Sequence, residues 1–144
     1  MIGYEPMQLD EGKLRDFAAR YTAAWCSQDA ARVAGYYSPS GSLTVNDNAP
    51  AAGRSAIREL AQSFMTAFPD LKVVMDDLRL QDDRVEYHWT LTGSNTGPGG
   101  SGQRVRISGF ELWQIGADGL IAKSHGRFDS AEYERQLKPG SGAT

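Results

Sequence analysis

Residues 110–129 read FELWQIGADGLIAKSHGRFD. Apolar and polar residues alternate through both halves, and Ala117-Asp118-Gly119 lies between them. Asp-Gly supplies the positive φ angles of a tight hairpin, so the spacing predicts two antiparallel strands, about 104–115 and 120–128. Parity places Glu111 on one face with Ile107, Gly109, Trp113 and Ile115. Glutamate is depleted from strands, and among such neighbours its carboxyl is expected to point inward, where burial disfavours the anion. The competing reading is a charged Glu111 on an outer face, held by an arginine such as Arg54 or Arg104.

Working outward, the same period of two covers 84–93, with Val85, Tyr87, Trp89 and Leu91 on one face, and a strand at about 71–81. Asp82-Asp83 turns between them, and GSNTGPGGSG (93–102) is expected to be a mobile hairpin loop. Upstream the period is 3.6. Leu14, Phe17, Ala18, Tyr21 and Trp25 mark a helix over 10–27, and Asp29 caps a short second helix. Ser38-Pro39-Ser40-Gly41 is expected to break the chain before a short strand at 42–47, followed by an NAPAAG loop. Ile57, Leu60, Ala61, Phe64 and Phe68 mark a third helix, ended by Pro69. Asp129-Ser130-Ala131-Glu132 has capping-box spacing and starts a last helix to about Leu137. Helices first and hairpin-linked strands afterwards give an α+β layering in one domain, residues 1–138, with a flexible tail at 139–144.

The chain has 144 residues, enough for one core, with 15 basic and 18 acidic side chains and a net charge of −3. No basic block exists to attract nucleic acid or an anionic membrane. No apolar run approaches the roughly 20 residues of a membrane span. The start MIGYEPMQLDEG lacks the pattern of a signal peptide, and the single Cys26 suits a reducing cytoplasm. Two histidines, His88 and His125, and one cysteine offer no zinc-binding spacing, so no metal is expected.

Three polar residues interrupt inward-pointing patterns: Tyr21 in the first helix, Asp47 at the end of the 42–47 strand, and Glu111. An inward phenol and two inward carboxyls from distant segments suggest a lined pocket with acid/base chemistry. Each has a structural reading as well: Tyr21 as a core tyrosine, Asp47 as a turn cap, Glu111 as an outer-face charge. Asp129 reads as a helix cap, and Cys26 as a small buried thiol. Gly97 to Gly102 satisfies GxGxxG, but strands flank it on both sides, so no phosphate would meet a helix N-terminus. His125 shares an outward face with Lys123 and Arg127.

Over residues 14–137 the chain resembles the nuclear-transport-factor-two-like superfamily, in particular its SnoaL-like polyketide cyclase and ketosteroid isomerase branches. AGRSAIREL, AFPDLKVVMDDL, DRVEYHWTLTGSNTG and FELWQIGADGLIAKSHGRFD carry the SnoaL-like likeness. Arg20-Tyr21, Thr44-Val45-Asn46-Asp47 and Phe110-Glu111-Leu112-Trp113 carry the isomerase likeness. The resemblance implies a cone: a strongly bent antiparallel sheet on three N-terminal helices, around a blind apolar pocket. Phe17, Trp25, Phe64, Trp89, Trp113 and Phe128, beside Tyr21, are its expected walls.

The resemblance implies Asp47 as base, with Tyr21 and a neutral Glu111 as oxyanion donors, although the isomerase pattern has aspartate where Glu111 stands. Asp129 matches the cyclase branch's acid/base aspartate, while Asn95 and Ser124 stand where that branch commonly has histidines. The implied activity is cofactor-independent proton transfer next to the carbonyl of a polycyclic or hydrophobic compound, as an isomerase or cyclase. A homodimer is implied as well. The alternative is a non-catalytic small-molecule-binding or dimerisation module on the same fold.

Overall fold

A computed structural model describes residues 10–81 and 83–138. The element order is α1 (Glu11–Cys26), α2 (Ala30–Ala34), β1 (Tyr37–Val45), β2 (Ala51–Ala52), α3 (Arg54–Ala67), β3 (Lys72–Gln81), β4 (Arg84–Ser94), β5 (Arg104–Ile115), β6 (Ile121–Phe128) and α4 (Ser130–Leu137). Asp10, Asp29 and Asp129 cap α1, α2 and α4 by accepting from backbone N–H groups near each helix start. The expected 139–144 tail and Asp82 lie outside the described residues.

The strands form one six-stranded sheet in the order β2-β1-β6-β5-β4-β3, curled and unclosed, with the helices against its concave face. Strands β3 to β6 pair antiparallel, as the hairpin signals require. The departure is β1, which runs parallel to β6. Parallel neighbours need a long crossover, and here everything between residues 45 and 121 supplies it. The break expected at 38–41 is instead inside β1. Tyr37 pairs with Ile121 and Ser42 with Lys123, so five residues on β1 span two steps on β6. A bulge of this kind takes up Pro39, which cannot donate to a ladder.

Register aligns the inward side chains in rungs. Leu80, Val85, Trp113, Ser124 and Leu43 form one rung; Leu78, Tyr87, Glu111, Gly126 and Val45 the next; Met75, Trp89, Gly109 and Phe128 the third. α1 contributes Leu14, Ala18, Tyr21 and Trp25 to the core, and α3 contributes Ile57, Ala61 and Met65.

The glycine-rich segment expected to be mobile is anchored. Gly97 N–H and Asn95 Nδ2 both donate to Ala67 O, at 3.2 Å each, which satisfies a carbonyl left free at the end of α3. Asn95 also accepts from Ser101 N at 2.7 Å, closing the loop on itself. Gly97 packs on the backbone of Thr66, where any Cβ would collide with the carbonyl oxygen. Gly97→Ala should therefore destabilise the protein by about 1–3 kcal/mol, the scale of overpacking; equilibrium urea unfolding measures it.

Candidate functional site

The second rung holds, among the described residues, the one buried carboxyl. Glu111 is 7% exposed. Its Oε1 accepts from Tyr21 Oη (2.9 Å), Trp113 Nε1 (2.8 Å) and Ser124 Oγ (2.8 Å). Oε2 receives only a longer contact from Tyr21, at 3.2 Å. Tyr37 Oη lies 2.9 Å from Tyr21 Oη and extends the network. Trp113 stacks on Tyr87 at 4.8 Å between ring centroids and meets Tyr21 edge-on at 5.2 Å, so the donors are held rigidly.

Burial pushes the Glu111 carboxyl above the ordinary glutamate range, against the opposing pull of hydrogen bonds from Trp113, Ser124, Tyr21 and Tyr37. Burial, and then the neighbouring Glu111, raise the Tyr21 and Tyr37 phenols well above their ordinary value. The two arginines expected to hold it are engaged elsewhere: Arg54 Nε donates to Tyr37 O, and Arg104 faces Asp70 at 3.7 Å. In the protonated form the proton would sit on Oε2, because Oε1 already accepts three donors.

Glu111 lines a cavity of about 60 Å³ whose walls are otherwise almost wholly apolar. Tyr87, Gly126 and Val45 surround it on its own rung, Trp89 and Phe128 stand on the next, and Trp25, Leu60 and Phe64 close the helical side. Of the expected wall residues, Trp25, Phe64, Trp89 and Phe128 face this cavity. Phe17 and Trp113 do not. They pack edge-on beneath the floor at 5.8 Å, where Trp113 serves as a donor to Glu111. The indole Nε1 of Trp89 is buried without a hydrogen-bond partner.

Asp47 is not in this constellation, which corrects the inward position expected for it. Alternation along β1 would turn residues 43, 45 and 47 the same way, but the strand ends at Val45. Asn46 adopts a positive φ of 52°, and Asn48 N donates to Val45 O at 3.0 Å, closing a turn. The turn sends the Asp47 side chain, 91% exposed, outward to Arg127 Nη1 at 3.0 Å. Asn46 is the junction: its Oδ1 accepts from Phe128 N at 2.9 Å and fixes the ends of β1 and β6 together.

Asp129 is also exposed, and its carboxylate accepts from Glu132 N at 3.0 Å as the cap of α4. Only half of the expected capping box forms, because Glu132 binds Arg135 and Gln136 instead. Cys26, expected to be buried, is on the surface, with Sγ between the N–H and C=O of Val73 at 3.3 Å each. Sequence reasoning missed Ser124 and Tyr37. Parity could have found Ser124: if His125 and Arg127 point outward, 124 points inward.

The family model of the SnoaL-like polyketide cyclases matches residues 15–137. The chain belongs to that family. Among solved structures, a putative SnoaL-like polyketide cyclase from Jannaschia sp. CCS1 is 18% identical, with a TM-score of 0.77 over 95% of this chain and 99% of that one. TsrD from Streptomyces laurentii is 22% identical, with a TM-score of 0.78 over 93% and 99%. A hypothetical protein with a ketosteroid isomerase-like fold from Catenulispora acidiphila, solved with trimethylamine, is 13% identical, with a TM-score of 0.75 over 90% and 97%. These likenesses show the shared fold. No curated protein matches the sequence. Among the described residues no helix is long and apolar enough to cross a membrane.

The raised pKa of Glu111 has a sign in stability. Folded Glu111 holds its proton to higher pH than the unfolded chain does, so its contribution is fully present below the ordinary glutamate value of about 4.3 and is lost as pH rises toward the folded value. Glu111→Gln keeps the shape and abolishes the titration. Relative to wild type, its melting temperature should therefore improve steadily as pH rises above about 4.3; a series of thermal scans across pH reads this directly.

Proposed function

We propose that this protein is a cofactor-independent acid/base enzyme acting on a hydrophobic carbonyl compound, with Glu111 as the proton-exchanging group. The observation that carries the reading is a single carboxyl in an otherwise apolar cavity, held on one oxygen by three donors. Oε2 is the working atom. As the carboxylate it takes a proton from the carbon next to the carbonyl, while Tyr21, Trp113 and Ser124 hold the charge on Oε1. As the acid it returns that proton, to carbon in an isomerisation or to oxygen in a ring closure. Burial raises the Glu111 pKa, which makes the carboxylate a stronger base than an exposed glutamate. Family membership favours the cyclase direction.

Asp47 is not assigned the base, because its carboxylate is in solvent. Its outward position favours a second reading, a binding protein in which Glu111 only orients a ligand. Deuterium exchange at the activated methylene of 2-tetralone, followed by NMR in D2O, separates the two. Under the enzyme reading Glu111→Gln loses about a hundredfold or more of the exchange rate, the scale of general acid/base catalysis, and Asp47→Asn stays within about twofold of wild type. Binding of 2-tetralone without accelerated exchange would select the second reading.

The outer face of the sheet supports a proposed symmetric dimer. Val74 is 47% exposed there, and His88 and Phe110 face each other at 5.7 Å between centroids. Light scattering at micromolar concentration should return twice the chain mass, and a Phe110→Glu variant should shift it to the monomer.

A further inference from the structure

Glycine is poorly suited to the interior of a strand, where it weakens the ladder and packs nothing. Four glycines stand inside the described strands: Gly41, Gly93, Gly109 and Gly126. Three have a steric reason. A Cβ on Gly41 would come within 2.8 Å of Ile121 O, one on Gly93 within 3.1 Å of the Phe68 ring, and one on Gly109 within 2.8 Å of Trp89 Cζ2. Gly126 has none. The nearest atoms to a Cβ there are Glu111 Cγ at 3.5 Å, Thr44 O at 3.7 Å and Phe110 O at 3.8 Å, all ordinary contacts. Its φ is not positive either. Backbone geometry and packing would accept the Cβ of an alanine, and β-branched residues are the ones strands ordinarily favour.

What a side chain at 126 would change is the cavity. Gly126 is the direct cross-strand partner of Glu111 and lines the same space. On the other side of Glu111 the equivalent position carries Tyr87, which is bulky and buried. The carboxyl is therefore walled on one side and open on the other, and the opening is one side chain wide.

We infer that Gly126 is the specificity-determining position of the site: its missing side chain is the slot through which a ligand's oxygen reaches Oε2 of Glu111. This rests on the proposed role of Glu111 and adds the shape of the ligand. The slot takes the unsubstituted edge of a flat ring bearing a carbonyl, enol or phenol oxygen, while the apolar body lies against Trp89, Phe128 and Phe64. A ring with a bulky substituent beside that oxygen is excluded.

The test uses two probes of one skeleton, 2-tetralone and tetralin, with affinity read from quenching of the cavity tryptophans and checked by calorimetry. Wild type should bind the ketone more tightly than the hydrocarbon. Gly126→Ala should weaken the ketone and Gly126→Val should weaken it by about tenfold or more, as an extra methyl does in a closed pocket. Both variants should melt no lower than wild type and should keep tetralin affinity within about threefold, well below that steric effect. Glu111→Leu separates this inference from the reading beneath it. If Gly126→Val loses the ketone but Glu111→Leu does not, the slot stands and the role of Glu111 fails. If Glu111→Leu loses the ketone and Gly126→Val keeps it, the slot is refuted alone. Equal loss of both probes in Gly126→Val, a lowered melting temperature in Gly126→Ala, or a wild type that binds neither probe also refutes the slot.

Discussion

One carboxyl oxygen accepting three hydrogen bonds sets the terms for the rest of this molecule. The donors come from α1, β5 and β6, so Glu111 ties a helix to two strands at one atom. A buried carboxyl without partners would cost several kcal/mol. With them, it instead penalises every wrong arrangement. A one-residue slip of β6 would replace Ser124 with Lys123 or His125 and leave Oε1 short of a donor. The aromatic packing serves the same end. Tyr21 can donate only because Trp113, Tyr87, Trp25 and Tyr36 fix its ring from several sides.

The two oxygens of Glu111 are thus unequal by construction. Oε1 is taken up by the protein's own donors, and under the proposed function Oε2 is left for a ligand. Such a division would let a group buried for structural reasons also do chemistry. In the proposed reaction the donors that keep the fold in register would also stabilise the charge that appears when the proton leaves, with their geometry set in advance.

Much of this was legible in the sequence, and the reasons are particular. The hairpin at Ala117-Asp118-Gly119 fixed the parity of β5, and parity alone turned Glu111 inward beside Trp113. The helical spacing of Phe17, Tyr21 and Trp25 put the phenol in the core in the same way. The failure at Asp47 came from extending a strand two residues too far. Alternation is a property of extended backbone, and it lapses at Asn46, a residue type that tolerates the left-handed conformation. Pro39 misled in the opposite direction, because a bulge lets a strand pass through a proline that local rules read as a stop. Tyr37 was hidden behind that same error: with a break expected just after it and the strand starting at 42, it could not be seen as part of the strand beside β6.

The parallel pairing of β1 with β6 bears on the order in which the chain can assemble. Strand β1 waits about seventy-five residues for its neighbour, and a loop of that length is slow to close. A nascent chain that has emerged only as far as residue 120 has the helices and most of the sheet. It lacks Ser124 from the floor of the cone, and it presents the unpaired edges of both β1 and β5 to its surroundings. Completion of the cavity and protection of those edges are thus one late event, accomplished by eight residues near the C-terminal end. A truncation or a ribosomal stall within β6 would leave an almost complete domain that is open to pairing with other chains.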